Sequence, residues 1–211
     1  MMKYLIAIAT MLLVGNAAFG ATLYDFESGT QGWTFSTFAG DDYMTAIAQS
    51  STQAHGGTYS LAGTITNLVA NKSGQALVDP ATPLDLTGQI LTAYAYAPTG
   101  MGGTGSAPNA FQLFVKTGSA WTWNETPWSA GQLGPTKENQ WIKLTMDMSG
   151  VANANDVKEI GVKYGASGSM AGTLSGTVYV DDIQVVPEPT SMLLLGSGLV
   201  GVLGLARRKK A

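Results

Sequence analysis

Cysteine is absent from the 211 residues, and histidine occurs once, at His55. Without a thiol the chain can form no disulfide, thiolate zinc site or iron-sulfur cluster, and it has no cysteine nucleophile. A single imidazole also excludes a multi-histidine metal centre. Charge is scarce: 12% of residues are charged against 45% hydrophobic. With five tryptophans that balance excludes an ordinary disordered chain, and the 27 glycines follow no Gly-X-Y period, which excludes collagen. The formal net charge of -3 understates the acidity of the middle, because Lys3 and Arg207 to Lys210 sit at the two ends. Between Ala21 and Val186, six lysines face 13 carboxylates, a net charge of -7. That stretch lacks the basic surface needed to neutralise phosphates, so no nucleic-acid partner is expected. No useful helical period appears there either, and no Gly-rich loop opens a helix to hold a phosphate.

What the ends do contain is address-like. Met1-Met2-Lys3 is followed by an apolar stretch from Tyr4 to Val14, with Ala18 and Gly20 at small-residue positions before Ala21. This is the form of a secretory signal peptide over residues 1–20, cut by signal peptidase after Gly20. At the other end, Pro187-Glu188-Pro189-Thr190 precedes an uncharged run from Ser191 to Ala206 and then Arg207, Arg208, Lys209 and Lys210. Sixteen residues at about 1.5 Å each give roughly 24 Å, a little under the hydrocarbon thickness, so a transmembrane helix there uses its Pro-Thr flank or a thin bilayer. The cations hold its end on the cytoplasmic side. Gly196, Gly198, Gly201 and Gly204 leave a face that another helix can approach closely. The order of Pro187, Glu188 and Pro189, apolar helix and basic end resembles the PEP-CTERM sorting signal of Gram-negative bacteria, over residues 187–211. The resemblance implies export, transient anchoring in the inner membrane and recognition by an exosortase, a membrane transpeptidase. Delivery to the cell surface or extracellular polysaccharide matrix would follow. A plain anchor that is never cut is the alternative.

Residues 21–186 have the length of one domain with a sizeable core. Short alternating or apolar runs recur there between Gly, Pro, Ser and Asn clusters: 22–26, 33–38, 44–48, 59–65, 75–78, 90–96, 111–116, 141–146, 159–164 and 177–186. Ten such runs predict an all-β, two-sheet antiparallel β-sandwich or barrel. Pro98 to Pro108 reads as an exposed loop and Val151 to Asp156 as a connection. Three stretches, Leu23 to Trp33, Gly56-Gly57-Thr58-Tyr59-Ser60-Leu61 and Val178-Tyr179-Val180-Asp181-Asp182-Ile183, are similar to galactose-binding-like jelly rolls, which include many carbohydrate-binding modules. Phe111 to Gly118, Trp121-Thr122-Trp123, Trp141 to Asp147 and Val157 to Val162 look like the modules appended to bacterial mannanases. The resemblance implies a jelly roll with first and last strands adjacent, a non-catalytic glycan-binding role and a structural calcium. It carries that calcium onto Glu27, a backbone carbonyl of Tyr59 or Ser60, and Asp181. Asp182 is the register alternative, and Asp25 shares a strand face with Glu27.

Sugars pack their C-H faces on aromatic rings while their hydroxyls find polar neighbours. Trp121, Trp123 and Trp128 crowd one stretch with Asn124 and Glu125, and in a strand Trp121 and Trp123 would share a face. Tyr94 and Tyr96 form a second same-face pair, whereas Trp33 and Trp141 read as core. His55, beside Gly56-Gly57, reads as a solvated turn residue without a nucleophile. A glycosidase-like carboxylate pair would be sought at Asp41 with Asp42 or Glu125 with Glu138. The leading expectation is a carbohydrate-binding or matrix-associating surface module. Its rivals are a purely structural biofilm protein and a polysaccharide hydrolase or lyase.

Overall fold

The computed structural model describes residues 20–187, and each of the ten predicted runs contains a strand. In chain order these are β1 (Ala21–Tyr24), β2 (Thr34–Phe35), β3 (Met44–Ser50), β4 (Ser60–Leu68), β5 (Ser73–Val78), β6 (Gln89–Tyr96) and β7 (Ala110–Thr117). There follow β8 (Thr122–Glu125), β9 (Trp141–Asp147), β10 (Val157–Gly165) and β11 (Leu174–Pro187). β8 lies outside those ten runs and begins one residue after Trp121. The first sheet runs β3-β4-β11-β6-β9, with β1 added along β11, and the second runs β2-β5-β10-β7-β8. Every pairing named in these ladders is antiparallel. The expected two-sheet sandwich is therefore present, and the first and last strands are neighbours. The signal segment before Gly20, Glu188 and Pro189 of the sorting motif, and the expected transmembrane helix at Ser191 to Ala206 lie outside the described residues. Among those described, no helix is long and apolar enough to cross a membrane.

Period-two alternation decides which face each strand gives to the core. On β7, Phe111, Leu113 and Val115 point inward, and Gln112, Phe114 and Lys116 point outward. On β10, Ile160, Val162 and Tyr164 point inward, leaving Glu159, Gly161, Lys163 and Gly165 outside. Leu91, Ala93 and Ala95 of β6 and Val178, Val180 and Ile183 of β11 supply the opposing layer. Each large apolar side chain closed in this way contributes about 1.5 to 3 kcal/mol. The stretch from Pro98 to Pro108 departs from expectation. It is not wholly exposed, because Met101 enters the core and its carbonyl accepts hydrogen bonds from the Tyr164 hydroxyl and from Asn109 Nδ2. Glu138 Oε1 pins the same loop from outside by accepting from the N–H of Gly100 at 3.0 Å and of Gly102 at 2.6 Å.

β11 is paired along both edges. β6 follows one edge, while on the other β4 pairs with its first half, Leu174 to Val180, and β1 with Ile183 to Val185. Asp181 and Asp182 fall in the gap between β4 and β1. Asp182 has φ +47, a left-handed conformation that kinks the strand and resets its face, so Ile183 and Val185 return to the core.

Candidate ligand-binding face

The outer face of the second sheet can be read directly from its register. Across β8, β7 and β10, Trp123 stands opposite Lys116, which stands opposite Glu159. One step along, Glu125 faces Phe114, which faces Gly161, which faces Leu77 of β5. One further step places Gln112, Lys163 and Gln75 side by side. Gly161 lacks a side chain for a structural reason: a Cβ there would collide with the Phe114 ring and stand 2.8 Å from the Ala76 carbonyl. Phe114 can consequently lie flat on the sheet and form the floor under Trp123, with ring centroids 4.2 Å apart and planes inclined by 15°. Trp123 Nε1 donates to Glu125 Oε2 at 2.8 Å, which fixes the ring's orientation.

Trp128 comes from the 3-10 turn Trp128–Gly131 that follows β8. Its ring is seated on Gly165, where a Cβ would stand 2.8 Å from Cζ3. Lys163 lies between the two tryptophans, its ammonium 5.3 Å from the Trp123 centroid and 5.0 Å from that of Trp128. It also forms an ion pair with Glu125 at 3.2 Å. Trp123 and Trp128 keep 37% and 42% of their surface exposed, so neither is a core residue. Beyond Trp128 the face deepens into a groove of about 460 Å³, bordered by Asp41, Lys72, Pro108, Gln132, Lys163 and Ser167. At the β2 edge Phe38 is 75% exposed, an aromatic that the sequence reading passed over.

Trp121 does not join this face as a strand partner of Trp123. It sits at φ +53 in the turn closed by its N–H on the Gly118 carbonyl, ahead of β8, with Lys158 Nζ 6.0 Å from its ring. The residue sharing Trp123's face is Glu125. Tyr94 and Tyr96 are on the outer face of the other sheet but offer no open platform. Tyr94 is covered by His55, stacked at 3.5 Å, and Tyr96 is buried against Trp141 and Tyr179. His55 is thus not a free turn residue: its Nδ1 is also 2.6 Å from Asp182 Oδ2. Trp33 is core as expected, while Trp141 is only half-buried.

The carboxylates nominated for chemistry are each engaged in bonds of their own. Asp41 accepts from the Ser73 hydroxyl and Asp42 from the Gly40 N–H. Glu125 holds Lys163, and Glu138 holds the Gly100 to Gly102 loop. On the sandwich face itself the buried carboxylate is Glu159, which the sequence reading did not single out. It is paired with Lys116 at 2.8 Å, and burial pushes its pKa above the ordinary value despite that ammonium.

Glu27 and Asp181 meet the same turn. Glu27 Oε1 accepts from the N–H groups of Thr58 and Tyr59, both at 2.8 Å. Asp181 Oδ2 accepts from those of His55 and Gly56, and Oδ1 from Asp182. Asp181 is fully buried under this turn rather than in the core, and desolvation pushes its pKa up to about 6. Gly57 has φ +60, and a side chain there would collide with the Glu27 carboxylate. The Ser60 hydroxyl donates to the Gln53 carbonyl at 2.5 Å, so its side chain belongs to the turn's own bonding. Among the described residues no group of three or more acidic or histidine side chains is gathered to hold a metal.

Known proteins resemble the chain on two separate stretches. Residues 185–210 match the PEP-CTERM protein-sorting motif. A curated relative, mannan endo-1,4-beta-mannosidase A and B of Caldalkalibacillus mannanilyticus, is 29% identical over 171 residues, 81% of this chain. The chain spans only 30% of that relative's length. Among solved structures, a carbohydrate-binding module of the beta-sandwich superfamily superposes with a TM-score of 0.59 at 19% identity, covering 81% of this chain and 63% of that one. The module CBM27-1 of Caldicellulosiruptor saccharolyticus, solved in complex with mannohexaose, gives a TM-score of 0.54 at 13% identity, covering 81% and 98%. These likenesses establish the sandwich fold. The family model of the mannanase galactose-binding-like domain matches residues 24–182, most of the chain, and the protein belongs to that family.

Proposed function

We propose that the domain is a non-catalytic carbohydrate-binding module whose ligand, a polysaccharide chain, lies on the outer face of the second sheet. The observation that carries this reading is the pair of exposed rings, Trp123 and Trp128, placed on either side of Lys163. Exposed aromatic surface of this kind costs solubility unless it is used, and rings flanked by hydrogen-bonding side chains match the amphipathic surface of a sugar. Trp121, set apart in its turn, is at most peripheral to that surface. Family membership supports the reading and makes β-1,4-linked mannans the first ligands to try.

The sorting motif supports export, transient membrane anchoring, exosortase processing and display of the module at the cell surface or in an exopolysaccharide matrix of a Gram-negative bacterium. Affinity electrophoresis against mannan, glucomannan, xylan and cellulose derivatives tests the binding. Retardation by one of them, lost in Trp123→Ala and Trp128→Ala variants that still fold, is the expected result; no retardation by any would leave the purely structural surface protein.

The calcium expectation is retained as a second, separate proposal. Asp181 presents a buried carboxylate that accepts from backbone N–H groups, and Glu27, which with Asp25 lies beyond the end of β1 and not on a strand face as expected, reaches the same turn. Hard oxygen donors just after β1 and on β11 suit a calcium ion, with backbone carbonyls and water completing its six to eight ligands. When bound, the ion would act as a structural link between the ends of the domain, remote from the tryptophans.

A further inference from the structure

Gln112, Lys163 and Gln75 form a row across β7, β10 and β5, each opposite the next, at the strand spacing of about 4.8 Å. The two glutamines are 1% and 3% exposed, yet neither is satisfied. Gln112 Nε2 donates to the Thr126 carbonyl at 2.6 Å, while its Oε1 accepts nothing. Gln75 Nε2 is buried and donates to nothing. Folded proteins rarely leave buried amide groups unpaired, because the water lost from them is not replaced. Here two such groups flank one lysine between two exposed tryptophans. To reach Glu125 from β10, Lys163 passes over β7, so in the free protein it lies across the Gln112 end of the row.

The unused capacity has a definite pattern. Gln112 offers an acceptor, Gln75 a donor, and the ammonium between them has donors beyond its contact with Glu125. A hydroxyl both gives and receives a hydrogen bond, so neighbouring hydroxyls of one sugar match the whole row. A carboxylate does not, since it has no proton for Gln112 Oε1. The charges on the face are also already matched, Lys163 with Glu125 and Lys116 with Glu159. We propose that Gln112, Lys163 and Gln75 read the adjacent hydroxyls of a single neutral sugar residue held beside Trp123 and Trp128, with the chain running across the strands. The proposal rests on the carbohydrate-binding reading and adds to it the residues that select the sugar.

Isothermal titration of the processed protein with mannohexaose, cellohexaose, xylohexaose and a galacturonate hexamer tests it, in the wild type and in Gln75→Met and Gln112→Met. The expected result is a neutral hexamer bound by the wild type and bound about tenfold more weakly by Gln75→Met, the value of roughly one hydrogen bond. The melting temperature of Gln75→Met should stay the same or rise, because the substitution removes an unpaired buried amide and breaks no recorded bond. Affinity within a factor of about two of wild type in both variants, with binding abolished by Trp123→Ala, would overturn the row while leaving the module intact. Preference for the galacturonate, or a Gln75→Met variant whose lost binding is matched by a lowered melting temperature, would also overturn it. Failure of the wild type to bind any hexamer would remove both readings.

Discussion

Gly165→Ala moves Trp128 without touching its chemistry. Gly165 has no positive φ, so alanine is accommodated by the backbone, and the atoms nearest the new Cβ all belong to the ring: Cη2, then Cζ3 at 2.8 Å and Cζ2 at 3.1 Å. Ordinary contact begins near 3.4 Å, so the indole must slide or tilt off its seat. Little stability is at stake. Trp128 is 42% exposed, and its ring loses mainly the contact with Lys163, worth about 0.5 to 1 kcal/mol. For a domain of this size that lowers the melting temperature by roughly 1 to 4 °C. Binding should suffer more selectively. If a sugar rests on Trp128, displacing the ring forfeits an aromatic contact of about 0.5 to 1.5 kcal/mol, or roughly two- to thirteenfold in Kd. Titration calorimetry with the best ligand of the polysaccharide panel reads that loss. The 5-fluorotryptophan resonance of Trp128, assigned through Trp128→Phe, reports whether the ring has moved. A shifted resonance with unchanged Kd would refute the argument that Trp128 binds from its seat on Gly165.

Three other outcomes are expected. Added calcium should raise the melting temperature and chelator should lower it, both responses vanishing in Asp181→Asn; a wild-type melt indifferent to either, with no calcium by elemental analysis, retires the ion. Glu159 has a folded-state pKa above its ordinary value, so its contribution to stability is fully present below the unfolded pKa of about 4.5 and is lost as pH rises through the folded value. Gln mimics the protonated form, so urea midpoints of Glu159→Gln should exceed those of wild type at pH 8 and converge with them towards pH 4; parallel curves would show that burial does not control this carboxyl. Gly74→Ala should cost roughly 2 to 4 kcal/mol, since its Cβ would stand 2.8 Å from Met44 Cβ and even closer to that residue's backbone nitrogen. A circular-dichroism melt within a few degrees of wild type would show that β3 and β5 can separate.

Much of the sandwich was visible in the sequence because strand alternation is local. The Phe111 to Lys116 pattern alone fixes which residues face inward, and the ends of β7 moved by a single residue. The candidate face was only partly legible. Trp123 and Trp128 stood out by residue type, but Lys163, Gln75 and Gln112 did not, because their proximity comes from the register of strands far apart in the chain. Trp121 was grouped with Trp123 by counting two residues, a rule that fails when the first of them turns left-handed. His55 looked solvated because nothing near it in sequence announces Tyr94 and Asp182. In the same way Met101 sits in a Gly-rich loop whose composition advertises exposure, and only Tyr164 and Asn109, brought in by other strands, explain its burial. Asp181 and Glu27 were legible through family likeness, whereas their hydrogen bonds to one shared turn were not.

The placement of β11 has a consequence for the order in which the molecule comes into being. The strand that is bordered by β4 and β1 on one edge and by β6 on the other is also the last of the described strands in chain order. Without Leu174 to Pro187, β1 lacks its partner strand and the layer that closes over Phe111, Leu113 and Tyr164 is left in two pieces, β3 with β4 and β6 with β9. Such long-range closure is slow and costly in chain entropy before it is rewarded. The first sheet therefore cannot close until Leu174 to Pro187 is available, and the match to the sorting motif begins within that same strand.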